Sequence, residues 1–162
     1  MTMDSRDIEI LKTVFELGDP SPRRIGEKIG IPKSTVHYRL SKLQEQGVLQ
    51  NDLYEFDSKV AGFNITVITE VLAEYEPNYQ QRVGEELSAI EGVSEVHFMM
   101  GDTDFIVVAH LPNSDHIQRL INEYEVIEGV ERTSSKFVIS TIKNEPNAIR
   151  NYDLKTLTEI LR

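Results

Sequence analysis

From Met3 to Leu17 the apolar residues Ile8, Leu11 and Phe15 fall on one helical face, behind Asp4 in a cap position with Asp7 three residues on, as in a capping box. Gly18 predicts the end of this first helix. Ser21 followed by Pro22 predicts a second start, a side-chain cap with proline in the first helical position, and Ile25 and Ile29 supply the buried stripe of a helix of about two turns that Gly30 ends. Pro32 opens a third helix. In it Val36, Leu40 and Leu43 face inward, whereas Thr35, Tyr38, Arg39 and Lys42 share the opposite face at spacings i, i+3, i+4 and i+7, and Gly47 closes it. Beyond it, Val48 to Gln50 and Leu53 to Phe56 flank Asn51-Asp52, a pattern that predicts a two-residue hairpin turn and hence a small wing.

After residue 63 the period changes. Ile65 to Tyr75 reads as strand, Asn78 to Ile90 as helix, Val93 to Met100 and Phe105 to Leu111 as strands, Ser114 to Glu125 as helix and Val130 to Ile142 as the last strand. Ile90-Glu91-Gly92-Val93 recurs as Ile127-Glu128-Gly129-Val130, each copy following a helix and opening a strand. The order βαββαβ is the ferredoxin-like split unit, with two helices on one sheet face. In the first strand Ile65, Val67, Thr69 and Val71 alternate with Thr66, Ile68, Glu70 and Leu72, so both faces carry apolar residues and a second subunit is expected to cover the open one. The expected fold is α+β, in four segments. They are a winged helix-turn-helix at residues 1–54, a linker strand at 55–63, a βαββαβ domain at 64–143 and a helical tail at 144–162. In the tail Leu154, Leu157, Ile160 and Leu161 form an apolar stripe that docks on its own or a partner subunit.

Charge changes what the first unit can do. The chain of 162 residues carries a net charge of -10, yet Pro22 to Gln44 holds Arg23, Arg24, Lys28, Lys33, Arg39 and Lys42 against the single acid Glu27. A basic island in an acidic chain is a footprint for a polyanion. A solvated helical hairpin is the plainer reading of one basic helix; three helices of these lengths, a tight turn and the local charge together favour double-stranded DNA, with the third helix in the major groove. Lys33, Ser34, Thr35, His37 and Tyr38 are then candidates for base edges, and Arg23, Arg24, Arg39 and Lys42 for phosphates. The acidic remainder is also what a salt-loaded, halophilic cytoplasm favours.

With no cysteine the chain has neither disulfides nor thiolate zinc ligands, and without a signal-peptide pattern or a long apolar run it reads as a cytoplasmic protein that does not enter membranes. No metal site, cofactor or catalytic residue is expected. His97 and His110 lie in strands with no nucleophile or acid at motif spacing and read as structural. Between the two central strands, Met100-Gly101-Asp102-Thr103-Asp104-Phe105 is explained by a hairpin turn alone; its two carboxylates could instead accept hydrogen bonds from a ligand ammonium or hold a hard cation, although no third ligand is in sight.

The chain resembles the Lrp/AsnC, or feast/famine, family of transcription regulators over nearly its whole length, and the resemblance points to an archaeal member. Met3-Asp4-Ser5-Arg6-Asp7-Ile8-Glu9-Ile10-Leu11 is similar to the family's opening Leu-Asp-x-x-Asp-x-x-Ile-Leu, with methionine for the first leucine. Ile29 to Leu40, continued by Glu45-Gln46-Gly47-Val48-Leu49, resembles its recognition helix and glycine exit. Gly101-Asp102-Thr103-Asp104-Phe105 resembles its Gly-Asp-Tyr-Asp-Tyr turn, with threonine for the usual aromatic. The resemblance implies a sequence-specific DNA-binding regulator whose βαββαβ (RAM-type) domain dimerises and often assembles further into tetramers or octamers. It also implies that an amino acid or related metabolite binds near the turn, in clefts between dimers, which makes Gly101, Asp102, Thr103 and Asp104 effector-site candidates. Two alternatives stand beside it: an enzyme like the sirohaem decarboxylases, which resemble this family, and an architectural DNA-binding protein without effector. The basic third helix argues against the enzyme.

Overall fold

A computed structural model describes residues 3–49 and 58–161. The chain divides into two compact units, one containing the N-terminal helices together with the chain from Lys143 onward, the other the intervening sheet domain ending at Ile142. The tail is therefore part of the first unit rather than a separate segment.

In the first unit, α1 (Ser5–Leu17), α2 (Pro22–Ile29) and α3 (Lys33–Glu45) appear where their periodicity predicts. The capping box forms: the Asp4 side chain accepts from the backbone N–H of Arg6 and Asp7, both at 2.9 Å, and Asp7 Oδ2 accepts from the Asp4 backbone at 3.2 Å. Ser21 departs from expectation. It occupies the cap position of α2 without a side-chain bond, and its backbone N–H instead donates to Asp19 Oδ1 at 2.8 Å. Ile10, Leu11, Val14, Ile25, Val36, Leu40 and Leu43 bury the helical stripes in one core, against which Ile149 packs from the tail. The expected wing lies largely outside the described residues. Of the expected linker strand, residues 58–62 form turns, with Phe63 N–H donating to the Ser58 carbonyl at 2.8 Å.

The second unit has β1 (Ile65–Ala73), α4 (Tyr79–Ala89), β2 (Val93–Phe98), β3 (Phe105–Leu111), α5 (Ser114–Val126) and β4 (Val130–Phe137), in the spatial order β2-β3-β1-β4. All strand pairs are antiparallel. Val67, Val71, Phe105, Val107 and Leu111 face the helices and pack with Val83, Leu87, Leu120 and Tyr124. The other sheet face carries the half-buried Ile68, Leu72, Ile106 and Val108. The repeated glycines each solve the same problem of leaving a helix and entering a strand. Gly92 and Gly129 have φ of +91 and +85, and a Cβ on Gly92 would stand 2.6 Å from Leu111 Cδ2, so a larger residue is both strained and crowded. Strand β4 ends at Phe137, five residues short of the predicted Ile142. A 3-10 turn (Ala148–Asn151) and α6 (Leu154–Leu161) then return to α1 of the same chain. Of the stripe on α6 only Leu157 is buried; Ile160 is 60% exposed.

Candidate nucleic-acid interface and effector turn

The turn between α2 and α3 is set by a close backbone approach. Gly30 and Ile31 N–H both donate to the Gly26 carbonyl, at 2.9 and 3.1 Å, and a Cβ on Gly26 would stand 2.5 Å from the Ile31 carbonyl oxygen. Only glycine fits there. The role of Gly26 goes unrecognised in a helical reading of Ile25 and Ile29, although a glycine inside so short a helix is a signal of close packing.

With α3 held in this way, Val36, Leu40 and Leu43 are buried and Lys33, Ser34, Thr35, His37, Tyr38 and Lys42 are exposed, Tyr38 to 68%. The six predicted side chains thus share one solvent-facing surface. The bases of the island differ in what they touch. Arg23 pairs with Glu27 at 2.9 Å, Arg24 with Asp19 at 2.6 Å and Lys28 with Glu16 at 3.0 Å. Exposed pairs of this kind contribute little and exchange readily for a phosphate. Lys33 and Lys42 have no ion-pair partner among the described residues.

Arg39 corrects the sequence reading, which places it among the phosphate contacts. Its Nη1 reaches Asp4 Oδ2 and Asp7 Oδ1, both at 2.7 Å, and its side chain is only 25% exposed. The hydrogen bond from Arg39, more than the backbone N–H groups of Asp7 and Arg6, holds the Asp4 carboxyl below the usual carboxylate range, and Asp4 and then Asp7 raise the guanidinium above its own. Two carboxylates already engaged by α1 also grip the middle of α3. The guanidinium, bound through Nη1 to both carboxylates, ties α3 to the start of α1.

The turn between β2 and β3 separates its two aspartates. Asp102 is exposed and makes no side-chain hydrogen bond among the described residues. Asp104 is buried: its Oδ2 accepts from Ala73 N–H at 2.9 Å and its Oδ1 from the Tyr79 hydroxyl at 3.2 Å. Burial first, then the Tyr75 hydroxyl and the Asp104 charge, push the Tyr79 phenol up. Asp104 is thus a structural brace between the turn, the end of β1 and the start of α4, and this corrects the expectation that both aspartates face a ligand. Gly101 is exposed and Thr103 half-buried. Asp102 and Thr103 line a small depression of about 40 Å³ together with Arg132 and Ser134 of β4 and Glu70 of β1. Arg132, which sequence reasoning missed, lies opposite Leu72 in register, is exposed, and has no ion-pair partner among the described residues. Its outward phase along β4 is the signal that could have found it.

His97 bonds Glu95 at 2.9 Å and His110 bonds Thr66 at 3.1 Å, each within its own strand or with the neighbouring one. Among the described residues no three His, Asp or Glu side chains gather as a metal site, and no helix is long and apolar enough to cross a membrane.

Comparison with known proteins finds matches for the N-terminal helices and for the sheet domain. Residues 3–50 match the family model of a winged helix-turn-helix DNA-binding domain, and residues 66–148 that of the Lrp/AsnC ligand binding domain. An uncharacterized HTH-type transcriptional regulator of Pyrococcus abyssi is 30% identical over 125 residues, covering 75% of this chain and 82% of its own length. Another, from Pyrococcus horikoshii, is 29% identical over 147 residues, covering 88% and 97%. Among solved structures, Escherichia coli AsnC superposes with a TM-score of 0.78 at 17% identity, over 90% of this chain and 97% of its own. A transcriptional regulator of Neisseria meningitidis in complex with L-methionine gives 0.81 at 18%, over 90% and 95%.

Proposed function

The chain belongs to the Lrp/AsnC family and is a helix-turn-helix transcriptional regulator with a ligand-binding domain, not an enzyme; from that premise we propose that it reads double-stranded DNA with the outer face of α3 and adjusts that reading to an amino acid bound beside the β2–β3 turn. The observation that carries the DNA reading is the exposed row Lys33, Ser34, Thr35, His37, Tyr38 and Lys42, in which both lysines lack ion pairs among the described residues. Its first-turn residues suit base edges, while Lys42 and the exchangeable Arg23 and Arg24 suit phosphates.

The effector reading rests on charge. An α-amino acid presents an ammonium and a carboxylate, and the depression is lined by the exposed Asp102 and Arg132, by Glu70, whose carboxylate is held by Lys136 at 2.6 Å, and by Thr103 and Ser134, which carry hydroxyls. Charge-assisted hydrogen bonds of this kind are about twice as strong as neutral ones. The relative from Neisseria meningitidis is a complex with L-methionine, which fits the same class. The apolar row Ile68, Leu72, Ile106 and Val108 on the face opposite the helices supports a homodimer, extended in the family manner to a tetramer or octamer, through that sheet. Such a regulator works in the cytoplasm by affinity alone and calls for no cofactor.

The experiment combines two measurements on the full chain. A duplex is selected from a random pool, and the protein is melted with each common amino acid. A ligand present at 100 times its Kd adds about 2.7 kcal/mol. At least one amino acid should raise the melting temperature, and Arg132→Ala should abolish that shift. A protein that selects no duplex would sink the DNA reading; a ligand shift unaffected by Arg132→Ala and by Asp102→Asn would move the effector elsewhere.

A further inference from the structure

Helix α1 is gripped at both ends by segments distant in sequence. At its start Asp4 and Asp7 hold Arg39, and with it the middle of α3. At its far end α1 has no basic residue in its last turn, so its carbonyls lack the cation that the negative end of a helix favours. The tail supplies one. Arg150 Nε donates to the Phe15 carbonyl at 2.6 Å, and Glu145 Oε2 accepts from its Nη1 at 3.2 Å. Lys12 Nζ adds a bond to the Tyr152 carbonyl at 2.7 Å, and Leu157 of α6 is buried in the same unit. The family models end at residues 50 and 148, so Arg150 and α6 stand outside what the family model describes.

We propose that Arg150 is a positioning residue for DNA recognition: it clamps the C-terminal end of α1, and α1, through Asp4, Asp7 and Arg39, fixes the angle at which α3 presents its exposed face. The inference rests on the reading of α3 as the DNA-contacting helix. A helix of this length is a rod of roughly 20 Å, and a tilt of about 3° at one end moves the other by about 1 Å. That displacement degrades a base-edge hydrogen bond, whose heavy-atom distance ranges over only a few tenths of an ångström. Phosphate contacts made by long flexible side chains tolerate it. Loosening the clamp should therefore lower discrimination between sequences while leaving the electrostatic part of binding in place.

The test measures the full-length wild type, Arg150→Ala and Arg150→Lys on a duplex selected by the wild type and on a scrambled duplex of the same composition, over a salt series well below each melting temperature. For Arg150→Ala the ratio of the two affinities should fall about fivefold or more, equivalent to one misaligned base contact, with the salt slope unchanged. Arg150→Lys keeps a cation at the helix end and should recover part of the ratio. An unchanged ratio with a lowered melting temperature would make Arg150 a stabilising residue only, and a slope shallower by about 0.9 would make it a phosphate contact; either overturns the proposal. If Arg150→Ala does not fold, Glu145→Gln removes the charge that orients Arg150 without touching the core and is judged by the same ratio and slope. A wild type that selects no duplex would overturn the inference together with the DNA reading.

Discussion

Replacing Asp104 with alanine should unfold the sheet domain at a markedly lower temperature, whereas Asp102→Asn should not. The alanine leaves the buried Ala73 N–H without an acceptor and removes the partner of the Tyr79 hydroxyl. An unpaired buried backbone donor costs about 1–3 kcal/mol, and bonds to an ionised acceptor lie toward the upper part of that range, so a loss of about 2–3 kcal/mol is expected before Tyr79 is counted. For a domain of 60–100 residues each kcal/mol corresponds to about 4–8 °C, which puts the shift on the order of 10–20 °C. Asp104→Asn should cost less, about 1 kcal/mol. Its carbonyl can still accept from Ala73 and its amide can donate to a rotated Tyr79 hydroxyl, so that mainly the charge assistance is lost. Asp102 is exposed and its change should fall within about 0.5 kcal/mol of wild type. Calorimetric melting of the four proteins without ligand reads the order directly. An Asp104→Ala protein that melts within about 3 °C of wild type would show that the brace contributes nothing and that the turn owes its shape to backbone alone.

Gly26→Ala brings a methyl to 2.5 Å from a backbone carbonyl that has no room to move, so melting of the helical unit should fall by more than the usual overpacking cost of about 1–3 kcal/mol and operator binding should fall with it; an unchanged melt by circular dichroism would contradict the close approach. Lys42→Ala should flatten the dependence of log affinity on log salt by about 0.9, whereas Arg39→Ala, whose guanidinium is held by Asp4 and Asp7, should leave the slope as it is and lower stability instead; equal slopes in the two variants would refute the division of roles. Because the Asp4 carboxyl sits below its ordinary value in the folded state, its contribution is fully present above the unfolded value of about 3.9 and is lost as pH falls through and below it. Asp4→Asn keeps a competent helix cap, so urea midpoints of wild type and variant should differ at pH 7 and draw together as pH falls below about 3.9; a constant gap down to the acid limit of folding would refute the assignment.

The helices α1, α2 and α3, the βαββαβ order and the capping box of Asp4 and Asp7 are legible in the chain itself, because each depends on residues within four positions of one another. The solvent-facing side chains of α3 follow from the same period, since Val36, Leu40 and Leu43 leave only one face for the polar residues. What the tertiary structure decided are the pairings across long separations. Arg39 looks like its basic neighbours on the helix, and only the packing of α1 against α3 brings it to Asp4, 35 residues away. Asp102 and Asp104 are equivalent in a turn motif, yet the end of β1 and the hydroxyl of Tyr79 bury one and leave the other to solvent. The tail reads as an amphipathic helix in search of a surface, and the carbonyl end of α1, 135 residues earlier and without a cation of its own, is where Arg150 finds it. Periodicity states which face a side chain occupies; the partner on that face is chosen by the chain's closure on itself, where burial and unsatisfied polar groups along the whole length compete.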